Sequence, residues 1–299
     1  MIDRLIERIE ALEAPIVVGL DPTLEMIPER LKQGDSLEAI AGALTKFNRE
    51  IIDAVHDLVP AVKPQIAMYE RYGIEGLQAY VATAEYAKSK GLLVIGDIKR
   101  GDISSTAAAY AAHIGGTQVG RQTLFPWAED AVTLNPYLGG DSVTPFLDVC
   151  AAQEKGIFLL VKTSNPGSGD LQDLRLESGK LVYEHVADLV SGWGEGLVGA
   201  RGYSKVGAVV GATFPEQGRA LRARMPHTFF LVPGYGAQGG SGKDLRGFFD
   251  ANGLGCIVNS SRGITAAWKK NERFGENNVG AAAREAVIAM KNDLREAIS

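Results

Sequence analysis

Cysteine is scarce: Cys150 and Cys256 are the only two in 299 residues, one at an expected helix end and the other in an expected strand. That excludes a disulfide framework and points to buried, reduced thiols in a cytoplasmic protein. Histidine is scarce too. His56, His113, His185 and His227 stand far apart, none in a spacing such as His-x-x-x-His, so each is expected at the surface or at a cap rather than on a metal. No segment approaches the roughly 18 consecutive apolar residues that a bilayer span needs. The amino terminus has apolar residues at positions 2, 5, 6, 9 and 12 and lacks the unbroken apolar stretch of a secretion signal, so an amphipathic helix is expected there. No long basic block occurs. With 31 basic against 36 acidic side chains the formal charge is −5, which disfavours nucleic acid and acidic membranes as partners. Neither a Pro/Ser-rich linker nor a repeat divides the chain.

What is present is a regular alternation. Short runs rich in Val, Ile, Leu and Phe recur at 16–20, 61–68, 92–98, 131–135, 156–162, 205–210, 229–232 and 256–259. Segments of helical periodicity lie between most of them, at 36–58, 73–90, 141–153, 179–191, 215–224 and 277–297. Strand followed by helix, repeated, predicts parallel pairing through right-handed crossovers. Several of the runs are continuously apolar, as in a sheet covered on both faces. Eight such units predict a closed α/β barrel of the (β/α)8 (TIM) type with an extra N-terminal helix, as a single domain over residues 1–299. An open doubly wound sheet is the alternative. The Gly-rich stretch 192–202 reads as a mobile connecting loop.

Polar residues interrupt these runs at their carboxyl ends. The first ends in Gly19-Leu20-Asp21-Pro22, the second carries Lys63-Pro64-Gln65, and the third carries Asp97, Lys99 and Asp102. The fifth ends in Lys162-Thr163-Ser164-Asn165-Pro166-Gly167, and the last two lead into Pro233–Gly240 and Asn259–Gly263. A barrel brings all of these to one face, where active sites of this fold sit.

Asp97 and Lys99 are two apart on a strand and so project to the same side, Ile98 to the other. A carboxylate that close favours the protonated ammonium, and a lysine kept charged in a dry pocket is a proton donor. The last two segments read as a phosphate site. Glycines let backbone N–H groups approach an anion, and Arg262 offers a forked guanidinium. A nucleotide P-loop at 236–244 is excluded, because position 237 is Ala and Asp244 follows Lys243 where Ser or Thr is needed.

Gly-Leu-Asp-Pro, the strand-two lysine, Asp97-Ile98-Lys99-Arg100-Gly101-Asp102-Ile103, Pro-Gly-x-Gly-Ala-Gln-Gly-Gly and the late Ser-Arg-Gly together resemble the orotidine 5′-phosphate decarboxylase family, in its longer bacterial subgroup, over about residues 15–265. The resemblance implies cofactor-independent decarboxylation of orotidine 5′-monophosphate to uridine 5′-monophosphate, the last step of de novo UMP synthesis, with no metal. It implies a charged chain of Lys63, Asp97, Lys99 and Asp102 around the pyrimidine, with Lys99 protonating C6. Asp102 would reach into the partner's site, making the enzyme a homodimer, with Ile103 and Thr106 beside it at the interface. Asp21 and Lys63 would contact the ribose, Ser164 the base, and Gln238, the Ser261 backbone and Arg262 the phosphate. The strand-five loop departs from the Ser-His-Pro-Gly of many relatives. This leaves open whether Thr163 or Ser164 meets the base, and the role of Gln65 is also open.

Two other readings compete. A metal-dependent aldolase or epimerase of sugar phosphates on the same barrel would need a cation where Lys63 and Lys99 already supply positive charge. A non-catalytic nucleotide-binding barrel would keep the anion site but has no reason to keep the lysines and aspartates in alternation.

Overall fold

The computed structural model describes residues 1–236, 240–270 and 273–298. Eight parallel strands close into a barrel: β1 (Ile16–Leu20), β2 (Ala61–Pro64), β3 (Leu93–Arg100), β4 (Ala131–Leu134), β5 (Gly156–Lys162), β6 (Val206–Val210), β7 (Phe230–Val232) and β8 (Cys256–Ser260). Sequence neighbours pair all the way round, and β8 returns to β1 through Ile16 opposite Val258. The expected closed barrel is therefore the fold, and the open sheet is not.

Alternation along each strand builds two cores. Outward residues such as Val18, Val62, Val94, Leu159, Ala208 and Val258 pack with the surrounding helices. Inward residues such as Val17, Ala61, Leu93, Phe158, Leu231 and Ile257 fill the barrel. The amino-terminal helix Ile2–Leu12 joins this inner core through Ile2, Leu5, Ile6 and Ile9, so it plugs the amino-terminal mouth. Each such side chain contributes about 1.5–3 kcal/mol relative to remaining exposed. With one end of the barrel stoppered, ligands have the carboxyl end.

The helices follow their sequence signals. Ser36 caps Leu37–Val55 by accepting the Ala39 N–H at 3.2 Å, and Leu44, Phe47, Ile51 and Val55 form its buried stripe. Pro215 opens Pro215–Arg224 at a position where its missing N–H costs nothing. Both cysteines are free and buried, Cys150 in the helix Gly140–Ala152 and Cys256 on β8. Burial pushes the Cys150 thiol up to about 12.

Several expectations are corrected. The second strand stops at Pro64 rather than running to 68, and Ala67–Glu70 is a helical turn. The helix expected at 179–191 is Val182–Gly194, closed at its start by the Glu184 carboxylate accepting the Leu181 N–H at 2.7 Å. The stretch 192–202 is not an open loop: it begins as the end of that helix, Val198 bridges Ser204, and the Ala200 and Arg201 N–H groups donate to the Asp3 carboxylate, both at 3.0 Å. Between β3 and β4 lie an unexpected helix, Ser104–Gly115, and a small hairpin of Thr117–Val119 with Gln122–Leu124. His113 on that helix is neither surface nor cap. It is buried, with Nδ1 2.8 Å from Glu129 Oε2 and its ring stacked on Trp127. Tyr80 donates to the other oxygen of the same buried carboxylate.

Candidate active site at the carboxyl end of the barrel

One carboxylate organises the mouth of the barrel. Asp97 Oδ2 accepts from Lys63 Nζ at 2.6 Å and Gln65 Nε2 at 3.0 Å; Oδ1 accepts from Lys99 Nζ at 2.5 Å and Thr133 Oγ1 at 2.9 Å. Burial by itself would raise the Asp97 pKa, but the Lys63 and Lys99 ammonium groups outweigh it and hold the carboxyl well below its usual range. Burial would likewise lower Lys63. Asp21 and Asp97 reverse that, and the Lys63 pKa is raised. The two lysines differ in access. The Lys63 side chain is 4% exposed and Lys99 43%, so the second ammonium is open to a ligand entering the barrel.

The strand is not regular where Lys99 meets Asp97. The pairing of β3 with β4 shifts register between Gly96 and Arg100, and Lys99 has a left-handed backbone, φ 45°. A bulge of this kind re-aims a side chain at a local cost in strain of about 1–3 kcal/mol. Thr133, the inward residue nearest the carboxyl end of β4, holds the distorted segment: its Oγ1 accepts the Lys99 N–H at 3.0 Å while donating to Asp97.

At the β1–β8 seam lie three polar atoms, Asp21 Oδ1, Asn259 Oδ1 and Ser261 Oγ, that are buried and have no hydrogen-bond partner among the described residues. Asp21 Oδ1 is 3.8 Å from Lys63 Nζ, close enough for charge but not for a hydrogen bond. Only glycine fits between these strands at this level. A Cβ on Gly19 would lie 2.7 Å from Ser261 Cβ and 3.0 Å from Asn259 Oδ1. Buried polar atoms left unpaired are costly, and three of them gathered at one seam are a place where a polar ligand would be answered. Next to them Arg262 begins the short helical turn Arg262–Thr265, exposed and without an ion pair among the described residues.

Of the residues expected at the site, Lys63, Asp97, Lys99 and Asp21 form one charged cluster, Ser261 lies against Gly19, the residue paired with Lys63, and Arg262 follows it in the chain. Ser164 leans in from the β5 loop, its carbonyl accepting from Thr213 Oγ1 at 3.2 Å. Thr163 spends its hydroxyl elsewhere, donating to Asn165 Oδ1 at 2.6 Å and accepting from Gln172 Nε2 at 2.7 Å. Asp102 does not join the ion chain of its own subunit: Oδ1 accepts the Ile103 N–H at 2.8 Å, and no salt bridge involves it among the described residues. Ile103 and Thr106 are exposed. Gln238 lies outside the described residues. Sequence reading missed Thr133, placed Asn259 at the carboxyl face without giving it a role, and left Gln65 open. Strand periodicity could have found Thr133 and singled out Asn259, since each is an inward position at a carboxyl end. Among the described residues no group of three or more His, Cys, Asp or Glu side chains is arranged to hold a metal ion.

Residues 14–274 match the model of the orotidine 5′-phosphate decarboxylase / HUMPS family. An orotidine 5′-phosphate decarboxylase of Rhodopirellula baltica is 50% identical over 285 residues, 93% of each chain. One from Clostridium novyi is 44% identical over 98% of each. The solved Leishmania donovani OMP decarboxylase superposes with a TM-score of 0.73 at 32% identity, covering 97% of this chain and 98% of that one. Barrel, charged mouth and near-complete alignment agree, and the chain belongs to the orotidine 5′-phosphate decarboxylase / HUMPS family.

Proposed function

We propose that this protein converts orotidine 5′-monophosphate to uridine 5′-monophosphate and CO2, the final step of UMP synthesis, in the cytoplasm and without a cofactor. The observation that carries this reading is the Lys63–Asp97–Lys99 alternation, with one ammonium enclosed and the other facing the opening. Heterolysis of the C6–carboxylate bond leaves the electron pair on C6, a ring carbon with little delocalisation available. A fixed ammonium beside C6 stabilises that charge as it develops. Lys99 Nζ then gives C6 a proton, becomes a neutral amine and recovers its proton from solvent. Asp97 orients Lys99 and keeps it paired, and its negative charge lies on the side of the departing carboxylate.

The remaining roles divide among ribose, base and phosphate. Asp21, Lys63 and Asn259 serve the ribose, whose hydroxyls answer the unpaired oxygens at the β1–β8 seam. Ser164 serves the base, because its hydroxyl is uncommitted where that of Thr163 is not. Arg262, the Ser261 backbone and Gln238 serve the phosphate. Binding energy gathered at the phosphate acts at C6 by fixing the ring and excluding water.

Asp102 is assigned to the neighbouring subunit's site in a homodimer, with Ile103 and Thr106 at the same interface. The exposed apolar side chains of Ile103, Tyr137 and Leu138 support such an interface, since Gly101 packs against the Asn135 carbonyl and brings the two loops together. Mixing Lys99→Ala and Asp102→Ala subunits tests it. Each mixed dimer rebuilds one intact site, so activity returns to about a quarter of wild type; no recovery after subunit exchange refutes the shared site.

The aldolase or epimerase alternative is disfavoured by two ammonium groups that repel a divalent cation from the same opening. The reading as a whole is tested by following the absorbance of orotidine 5′-phosphate on mixing with the protein, with and without a chelator. A decay insensitive to chelation is expected. A flat trace with tight nucleotide binding would mean a binding protein instead.

A further inference from the structure

We infer that Lys162 and Gln172 are positioning residues that close the 163–173 loop on itself and so fix Ser164 where it meets the pyrimidine, an inference that rests on the assignment of Ser164 to the base. Lys162 is the last residue of β5 and is wholly buried, an unusual place for a charge. Its ammonium donates to both carboxylate oxygens of Asp173, at 2.8 and 2.9 Å, and lies 4.8 Å from the Phe214 ring centroid and 5.5 Å from that of Tyr183. Ser168 Oγ lies a further 3.4 Å from the same nitrogen.

One residue inward, a second closure repeats the first. Gln172 Oε1 accepts the Thr163 N–H at 2.9 Å, and Gln172 Nε2 donates to Thr163 Oγ1 at 2.7 Å. Residues 162 with 173 and 163 with 172 are thus nested pairs, like the rungs at the base of a hairpin. Ser164 is the first residue inside them. It is held against the barrel by Gly211, where a Cβ would come 2.8 Å from both Ser164 Cβ and Ser164 N. Thr213 fixes its carbonyl from the same side. The Ser164 hydroxyl makes no hydrogen bond among the described residues, whereas its backbone carbonyl and both the N–H and the hydroxyl of Thr163 beside it are engaged.

The choice of lysine is informative. An apolar side chain of similar length would fill the space between Phe214 and Tyr183 without desolvating a charge, and such replacements are commonly neutral or stabilising. What an ammonium adds is direction: it ties β5 to one residue at the far end of the loop. A uracil-type ring presents an N3–H between two carbonyls, and a hydroxyl can answer either, provided it is fixed to within a fraction of an ångström. The clamp therefore acts on recognition of the base and leaves the ribose and phosphate contacts alone.

The test compares UMP with ribose 5-phosphate, which carries the same phosphate on a ribose and no base, as titrants of the whole protein. Lys162→Met and Gln172→Ala are expected to weaken UMP about tenfold or more and to leave ribose 5-phosphate within about twofold. Lys162→Arg, which keeps the charge, is expected to retain most of the UMP affinity. Equal weakening of both titrants would mean general loss of structure and overturn the inference, as would unchanged affinity for both. Should Lys162→Met fail to fold, Gln172→Ala, whose side chain is half-buried, decides alone. Ser164→Ala separates the two levels. If it leaves the ratio of UMP to ribose 5-phosphate affinity unchanged, the assignment of Ser164 to the base fails; if it lowers the ratio while the clamp variants do not, only the clamp fails.

Discussion

Lys63 and Lys99 grip opposite oxygens of the same Asp97 carboxylate, Lys63 Nζ from inside the barrel at 2.6 Å and Lys99 Nζ from the open side at 2.5 Å. The two lysines therefore answer differently to mutation. Removing Asp97 strands a buried ammonium, and Asp97→Ala is expected to cost about 3–5 kcal/mol of stability as well as activity. Lys99 is 43% exposed, and Lys99→Ala is expected to leave stability within about 1 kcal/mol of wild type. Its turnover falls by at least about 10²–10⁴-fold while UMP still binds. Urea titrations beside single-turnover assays check both. Appreciable decarboxylation by Lys99→Ala would remove it as the proton donor.

The same ion pairs set a pH signature. Burial raises the Asp97 pKa, the two lysines outweigh it, and the folded value lies below the unfolded one. Its contribution is therefore complete above the ordinary carboxyl range near about 4 and is lost as pH falls through the folded value. Lys63 is shifted the other way, upward, so its contribution is present below its ordinary range and lost only as pH rises through a still higher folded value. Between these limits both stay charged, and neither supplies a limb to the pH profile of kcat/KM at pH 5–9, by the order of magnitude of the reference values. The stability advantage of wild type over Asp97→Asn is expected to be constant from about pH 6 to 8 and to narrow below about pH 4. Thermal melts across that range measure it, and an advantage that widens in acid would contradict the assignment.

Much of this was legible in the chain because strand periodicity and the barrel rule act together. Given eight apolar runs, inward residues at their carboxyl ends converge whatever the loops do, which is why Lys63 and Asp97 could be named in advance. The bulge at Lys99 was not legible, since a left-handed backbone at a lysine is sustained by Thr133, a partner 34 residues away. The helix Ser104–Gly115 escaped for a different reason. Its run of alanines carries no apolar stripe to distinguish a buried face from an exposed one. Glu129 and His113 also needed the fold, because a buried carboxylate between Tyr80 and a stacked imidazole reads in sequence as ordinary surface polarity.

Gly19 tests the seam between β1 and β8. A methyl group there would sit 2.7 Å from Ser261 Cβ, so Gly19→Ala must push Ser261 and the Arg262 turn away from the barrel axis. The expected cost in stability is about 1–3 kcal/mol, the usual range for overpacking. Affinity for inorganic phosphate and for UMP should fall together, because the displaced groups are those assigned to the phosphate. Unchanged phosphate affinity in a folded Gly19→Ala protein would place the anion site elsewhere.

Arg262 is the complementary case, a side chain that the fold does not need. It is exposed and has no ion-pair partner among the described residues, so Arg262→Ala should unfold within about 0.5 kcal/mol of wild type. If the guanidinium holds the substrate phosphate, its loss removes charge-assisted hydrogen bonds worth about 1.5–3 kcal/mol, or roughly 10- to 150-fold in kcat/KM. How that loss divides is the informative part. Uniform binding would appear in KM alone, whereas binding energy used to fix the ring against Lys99 lowers kcat as well. The enclosed ion chain favours the second outcome, because Lys99 can protonate C6 only when the ring is held against it. Saturation kinetics of Arg262→Ala with orotidine 5′-phosphate would show a depressed kcat on this account. A raised KM with wild-type kcat would instead confine Arg262 to capture of the nucleotide.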